Sequence, residues 1–321
     1  MRILYVTNMY PTPANPVFGI FVKEQMQDAA RYLELTQDVY LMNGAEKGWR
    51  EYLRAIYEVP RRIEQGKYDL VHVHFGLSAL WRLFYRPKVP VFLSLHGADI
   101  LIEQGRHVQV ALTKRLLPKV DRVFTLNEEM NAIVSQYTDD YELLPCSVNV
   151  DRFRPTARPG SRSGLLLLFP GSPRVPVKNF ALFQRVVAEV KRRTGTEVAY
   201  ATLEGLSRTG VRDLMNRADC LLMTSTSEGS PQAVKEALSC GLPVVSVNVG
   251  DVASMLEGVP YCEVATTRDP QYLSASVLRT LAGDRAAIRA AFLAKGKYDH
   301  ESISRRWAGV YGRVHQTSPV V

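Results

Sequence analysis

The stretch LLLLFPGSPRVPVKNFALFQRVVAEVKRR, residues 165–193, opens with an unbroken apolar run of strand length. A loop rich in proline and glycine follows, and then a segment with helical spacing of apolar residues. A strand apolar on both faces belongs in a parallel sheet covered by helices on each side. The amino terminus repeats the design: an apolar run at 3–7, the loop NMYPTPANPVFG, and a helical stretch at 21–33 in which Val22, Met26, Ala29, Ala30 and Leu33 share a face. Two halves that each begin strand, loop, helix predict two α/β units.

Further apolar runs extend the pattern. In the first half they fall at 39–42, 70–75, 89–95, 122–126 and 142–144, and in the second at 197–202, 219–224, 243–247 and 261–264. Between the halves, SVNVDRFRPTARPGSRSG at 147–164 has the composition of an exposed connection. The boundary is therefore set at 155/156, with domains over 1–155 and 156–298. In sheets of this kind ligands bind outside the carboxyl ends of strands, so two such domains are expected to hold a substrate in the cleft between them.

With 321 residues, 46% of them hydrophobic and 22% charged, the chain has the composition of a globular protein with two cores. Its net charge of +8 comes mainly from the second half, which suits a phosphorylated ligand, an acidic membrane or simply a solvated surface. No stretch resembles a nucleic-acid module. Cys146, Cys220, Cys240 and Cys262 form no C-x-x-C pair and are expected as free thiols in a reducing compartment. The first residues lack a signal-peptide core, and no apolar run spans a bilayer, so a cytoplasmic protein is expected. The stretch LWRLFYRPK at 80–88 mixes aromatic and basic residues. It suits peripheral contact with anionic lipid, and equally a core segment with a basic rim.

Chemistry concentrates in SEGSPQAVKEALSCGLPVVS, residues 227–246. Ser230 is placed to cap a helix whose first residue is Pro231 and which runs to about Cys240 before Gly241. Glu228 then stands at a helix mouth whose free N–H groups favour phosphate or electron-rich oxygen. A carboxylate there complements the helix dipole, and Glu236 one helical face further on suits solvent equally well. Because an ionised carboxylate only accepts hydrogen bonds, both residues also suit a hydroxyl-rich ligand such as a sugar.

Glu228-x7-Glu236, within T-S-x-S-E-G-S-P-x-x-V-K-E-A-L-S-C-G-L-P-V-V-S-x-x-V-G-D, resembles the signature of bacterial family 4 retaining glycosyltransferases of the GT-B fold, especially those that build capsule, exopolysaccharide or teichuronic-type polymers. Tyr10-Pro11 through Val22, the run D-L-V-H-V-H-F at 69–75, L-H-G-A-D-I at 95–100 and V-N-V-D-R-F-R-P at 148–155 resemble other landmarks of that family in the same order. Residues 299–314 are similar to its last helix, which crosses back to the first domain, here placed at 299–315. The resemblance implies two Rossmann-like parallel-sheet domains and an enzyme that moves a sugar from a nucleotide-diphosphate donor to a saccharide or lipid-linked acceptor.

By that resemblance Glu236 would bind the ribose diol and Glu228 would hold donor-sugar hydroxyls. The stretch Gly229, Ser230, Pro231 and Gln232 would face the sugar or diphosphate with its backbone N–H groups. Lys178, after the Gly171 loop, matches the family's phosphate-binding lysine. Where the family has an arginine after that glycine this chain has Ser172, and Arg174 is the nearest substitute. His96 would contact the donor sugar near the reacting carbon, His74 and Asn127 would line the acceptor side, and Gly19 would let backbone approach the diphosphate. His72 and His74 share a strand face but lack further ligands for a metal, and no Asp-x-Asp is present. No metal or other cofactor is expected, with Lys178, Arg174 and the helix dipole carrying the diphosphate charge. The alternative is a catalytically silent GT-B scaffold that binds a nucleotide or a partner protein. A dehydrogenase is disfavoured because no G-x-G-x-x-G follows either opening strand.

Overall fold

A computed structural model describes residues 1–13, 15, 17–102, 106–156 and 163–317; the side chains of 45, 46 and 315–317 are left aside. Ala14 and Pro16 of the first loop, and 157–162 of the expected connection, lie outside the described residues. The chain divides into two compact units, Met1–Ser147 with Glu301–Val321, and Val148–His300.

The first unit runs β1 (Arg2–Thr7), α1 (Ile20–Ala29), β2 (Thr36–Leu41), α2 (Gly44–Lys47), α3 (Arg50–Gly66), β3 (Leu70–His74), β4 (Val91–Ser94), α4 (His107–Leu116), β5 (Arg122–Thr125), α5 (Glu128–Val134) and β6 (Tyr141–Leu143). All six strands are parallel, in the order β2-β1-β3-β4-β5-β6. Alternate side chains enter opposite faces, as strand geometry requires. Leu4, Val6, Val71 and Val73 pack with Val59 and Ile63 of α3, whereas Ile3, Tyr5, Leu70 and Phe124 pack with Val22 and Met26 of α1. That second face is closed by Trp307 and Tyr311, both fully buried, from a helix at 300–317 at the end of the chain.

The second unit contains β7 (Leu165–Phe169), α6 (Phe180–Thr194), β8 (Val198–Thr202), α7 (Arg208–Arg217), β9 (Cys220–Met223), α8 (Gln232–Ser239), β10 (Val244–Val247), α9 (Val252–Leu256), β11 (Glu263–Ala265), α10 (Pro270–Thr280) and α11 (Arg285–Ala294). The chain closes with α12 (His300–Thr317). The five parallel strands of the second unit are ordered β11-β10-β9-β7-β8. The two doubly wound sheets expected from the sequence are thus present. The boundary differs from 155/156: the second unit begins at Val148, because Val148 exchanges backbone bonds with Tyr298 and His300 and because Phe153 is buried in the second core.

In each sheet the chain runs one way from the opening strand and then reverses. The reversal lies between β1 and β3 in the first and between β7 and β9 in the second. Such switch points leave a crevice at the carboxyl ends of the two strands, where ligands of open α/β sheets bind.

Candidate active site

At the second unit's switch point, the loop after β7 and the loop after β9 are tied together. Thr224 donates from its hydroxyl to the carbonyls of Lys178 and Asn179, at 3.1 and 3.0 Å, and the Thr226 N–H donates to the carbonyl of Val177 at 2.8 Å. Asn179 has φ 52°, in the left-handed region that asparagine tolerates, and its side chain caps α6 by accepting from the Leu182 N–H. This turn aims Lys178 across the crevice. Its Nζ donates to Glu228 Oε1 at 2.6 Å, and Ser225 Oγ donates to the same oxygen at 2.6 Å. Gly171 lies against the Lys178 stem: a Cβ there would stand 3.5 Å from it, an ordinary contact.

Helix α8 begins at Gln232, one residue later than expected. Pro231 has extended backbone (ψ 114°) and occupies the cap position, where its own side chain makes no capping hydrogen bond. Ser230, expected as the cap, donates instead to Asp251 Oδ2 at 2.8 Å. Asp251 precedes α9, and burial pushes its carboxyl up from the usual range while nearby Lys235 opposes that shift. Gly250 has φ 54°, and a Cβ on it would come within 2.5 Å of the Gly229 carbonyl and 2.9 Å of that of Glu228. The loop carrying Glu228 is therefore set by the V-G-D tail of its own motif. Neither Gly250 nor Asp251 was singled out from the sequence, although both stood at the end of the quoted pattern.

Glu236 is buried in α8, with Arg208 of α7 2.6 Å from its Oε1. The Arg208 guanidinium also lies over the Phe153 ring, 4.7 Å from its centre. The ribose role assigned to Glu236 thus has an arginine beside it that the sequence reading did not foresee. Arg174 is turned elsewhere: its guanidinium pairs with Glu204, which also accepts from Ser172 Oγ at 2.9 Å. The proposed substitute for the family's arginine is thus engaged at the outer edge of the loop.

In the first unit, Gly19 precedes α1 with φ 66°, and a Cβ on it would sit 2.3 Å from the Met9 carbonyl carbon. Its glycine is required by this close approach of two backbone segments. His96 follows β4 and is half-buried between Phe21 and Phe75, with ring centres at 4.7 and 6.1 Å. Asp99, fully buried, accepts from the N–H groups of His96 and Gly76 at 3.0 Å each, and so fixes the loops after β4 and β3 together. Burial raises its carboxyl to about 6.

Two acceptor-side assignments need correction. His74 is fully buried behind His96, with His74 Nδ1 3.1 Å from His96 Nε2, so it offers no surface to an acceptor. Asn127, also buried, caps α5 by accepting from the Met130 N–H at 2.8 Å. His72 lies deeper still, with Nδ1 2.6 Å from the Tyr311 hydroxyl and Nε2 2.8 Å from Ser94 Oγ. Burial drives His72 and His96 down to about 3 and His74 well below the ordinary histidine value, so all three rings are neutral at pH 7.

Residues 20–152 match the family model described as Glycosyltransferase Family 4, and residues 164–283 match Glycosyl transferases group 1. Among curated relatives, the chain is 23% identical over 323 residues to the teichuronic acid biosynthesis glycosyltransferase TuaC of Bacillus subtilis (strain 168), covering 79% of this chain and 83% of that protein. It is 25% identical over 252 residues to a D-inositol 3-phosphate glycosyltransferase of Arthrobacter sp. (strain FB24), covering 62% and 58%. Among solved structures, a sucrose-phosphate synthase from Thermosynechococcus elongatus superposes with TM-score 0.74 at 15% identity over 99% of this chain and 100% of that one. Anabaena HepE, solved with UDP and glucose, superposes with TM-score 0.70 at 14% identity over 97% and 99%.

Proposed function

The chain belongs to the glycosyltransferases, a family 4 segment followed by a group 1 segment on the GT-B fold, and from this premise we propose that it moves a sugar from a nucleoside-diphosphate sugar to an acceptor hydroxyl with retention at the anomeric carbon. The observation that carries the reading is the Lys178–Glu228 pair at the switch point between β7 and β9, beside the start of α8. Lys178 is a cation for the diphosphate, and the α8 N–H groups add donors to it. Glu228 is released from Lys178 to accept from sugar hydroxyls when the diphosphate takes its place. Glu236 accepts from the ribose, with Arg208 holding its carboxylate in a fixed orientation.

Charge stabilisation of the departing diphosphate and positioning of the acceptor carry the chemistry, through an oxocarbenium-like transition state. The acceptor proton goes to the leaving phosphate on the same face. The structure of HepE with UDP and the name of TuaC support a nucleotide-sugar donor and a surface-polymer acceptor. No resident metal is assigned, since Lys178 and the helix start meet the diphosphate charge.

Peripheral contact with anionic lipid is proposed both for 80–88, where Phe84 is 69% exposed beside exposed Arg86 and Lys88, and for α3. Residues 76–83 form a 3-10 turn that buries Trp81 and Arg82, whereas Trp49, Leu53 and Tyr57, one helical turn apart, are 67%, 45% and 80% exposed beside Arg50 and Arg54. Among the described residues no helix is long and apolar enough to cross a membrane.

A thermal-shift panel of UDP-, GDP- and ADP-sugars tests the donor assignment, because a ligand of the folded state raises apparent stability. A shift with one nucleotide series, lost in Lys178→Ala, is expected. No shift with any of the three would overturn the reading.

A further inference from the structure

We propose that His74 is a positioning residue that fixes the tautomer of His96, donating from its Nδ1–H to His96 Nε2 so that His96 carries its proton on Nδ1 and presents it as a hydrogen-bond donor. The inference rests on the reading above for what His96 meets, but its geometry stands apart from that reading.

His74 Nδ1 and His96 Nε2 are 3.1 Å apart, and two neutral rings can share only one proton between these atoms. The direction is decided at the other end of His74. Its Nε2 is buried and has no hydrogen-bond partner among the described residues. If His96 donated, His74 would hold its proton on Nε2, a buried N–H with nothing to accept it. If His74 donates, Nε2 is a bare lone pair. Native interiors leave buried N–H groups unpaired more rarely than acceptors, so the second arrangement is favoured.

Neighbouring polar groups cannot rescue the first. Gln37 Nε2 donates to the Met26 carbonyl at 3.0 Å, which fixes the amide, and to the Tyr5 hydroxyl at 3.2 Å. Tyr5 donates in turn to Tyr311 at 3.2 Å, which leaves the Tyr311 proton for His72 Nδ1 at 2.6 Å. His72 then carries its proton on Nε2 and donates to Ser94 Oγ at 2.8 Å. This ordered chain occupies both nitrogens of His72, whose ring stacks on His74 at 4.6 Å, and the hydroxyl of Tyr5, whose ring lies 5.6 Å from that of His72 and 6.0 Å from that of His74. The Asp99 carboxylate is taken by backbone N–H groups of His96 and Gly76. Neutrality of all three rings, enforced by burial, agrees with the assignment.

The chemical consequence concerns the reaction. A half-buried His96 with a proton on Nδ1 donates to a sugar oxygen and has no free lone pair with which to deprotonate an acceptor, since its Nε2 is already accepting. Removal of the acceptor proton is then left to the departing phosphate.

The test is the ring 15N spectrum of histidine-labelled protein without substrate, with His96 assigned through His96→Asn. Protonation of His96 on Nδ1 is expected, and protonation on Nε2 would overturn the proposal. His74→Gln, whose amide can still donate to His96, should keep the Nδ1–H signature and turnover within about threefold. His74→Leu should lose the signature and about tenfold in kcat while the KM for the donor changes less, the pattern of an interaction made in the transition state. Equal losses in the two variants, with the His96 signal unmoved, would show a packing role only. An inactive protein with the expected spectrum would count against the transferase reading and leave the tautomer assignment standing.

Discussion

Lys178 and Glu228 hold each other at 2.6 Å, each partly shielded from solvent, and the pair is the point at which a diphosphate would exchange partners. Removing the lysine leaves Glu228 without its cation and with an added repulsion toward phosphate. Lys178→Ala should therefore raise the dissociation constant for the donor nucleotide by tenfold or more, an effect of about 1.4 kcal/mol or greater, read by calorimetric titration. Unchanged affinity would remove Lys178 from the site. Gly250 is a second decisive position. With φ 54° and its missing Cβ 2.5 Å from the Gly229 carbonyl, Gly250→Ala must displace the loop that carries Glu228. The expected result is lost donor binding together with destabilisation of about 1–3 kcal/mol, measured by urea unfolding.

Among the elements, β3 and β4 carry the buried histidines, and their environment has a pH signature. The folded values of His72 and His96 lie near 3 and that of His74 is also far below its unfolded value of about 6.5. Above pH 6.5 the rings are neutral in both states and cost nothing. As the pH falls below 6.5 the unfolded chain takes up protons that the folded one refuses, so stability is lost progressively toward the folded values, at up to about 1.4 kcal/mol per pH unit for each ring. Asp99 works in the opposite sense: its folded value of about 6 lies above the unfolded one, so the folded state gains between roughly pH 6 and 4. Three rings outweigh one carboxyl, and the melting temperature should fall steeply from pH 7 to pH 5. A flat profile would contradict the burial of the three rings. For α3, flotation with vesicles of phosphatidylcholine containing phosphatidylglycerol should recover the protein at low salt and release it at high salt. Trp49→Ser with Tyr57→Ser should lower recovery without changing the melting temperature, because both side chains are exposed.

For the whole molecule, two units with separate cores predict separable effects of core substitutions. Trp307, from the last helix, is buried in the first unit, and Trp307→Ala should cost it about 3–5 kcal/mol. Phe183→Ala should cost the second unit a similar amount. Differential scanning calorimetry should show a different transition moving in each variant, and one transition shared by both would show that the units unfold as one. At the same scale, the assignment of diphosphate charge to Lys178 and α8 predicts turnover that survives prolonged EDTA treatment, and abolition by EDTA would transfer that role to a metal.

The local pattern determined the two parallel sheets, because strands apolar on both faces and helices of regular period are read from neighbours in the chain. It also marked Glu228, at a helix mouth visible as Gly-Ser-Pro punctuation, whereas Lys178 was marked by the resemblance to the family's phosphate-binding lysine. The local pattern could not show that these two side chains, 50 residues apart, would bond, nor that Ser230 would pass over its helix to reach Asp251, nor that Arg208 would meet Glu236. His74 and Asn127 misled for the same reason: a polar residue at a strand end has the same local pattern whether it faces a ligand or caps and braces its neighbours. Periodicity is a property of the segment, whereas the partner of a buried polar atom is chosen by whichever other segment folding brings within about 3 Å, and only the tertiary structure fixes that choice.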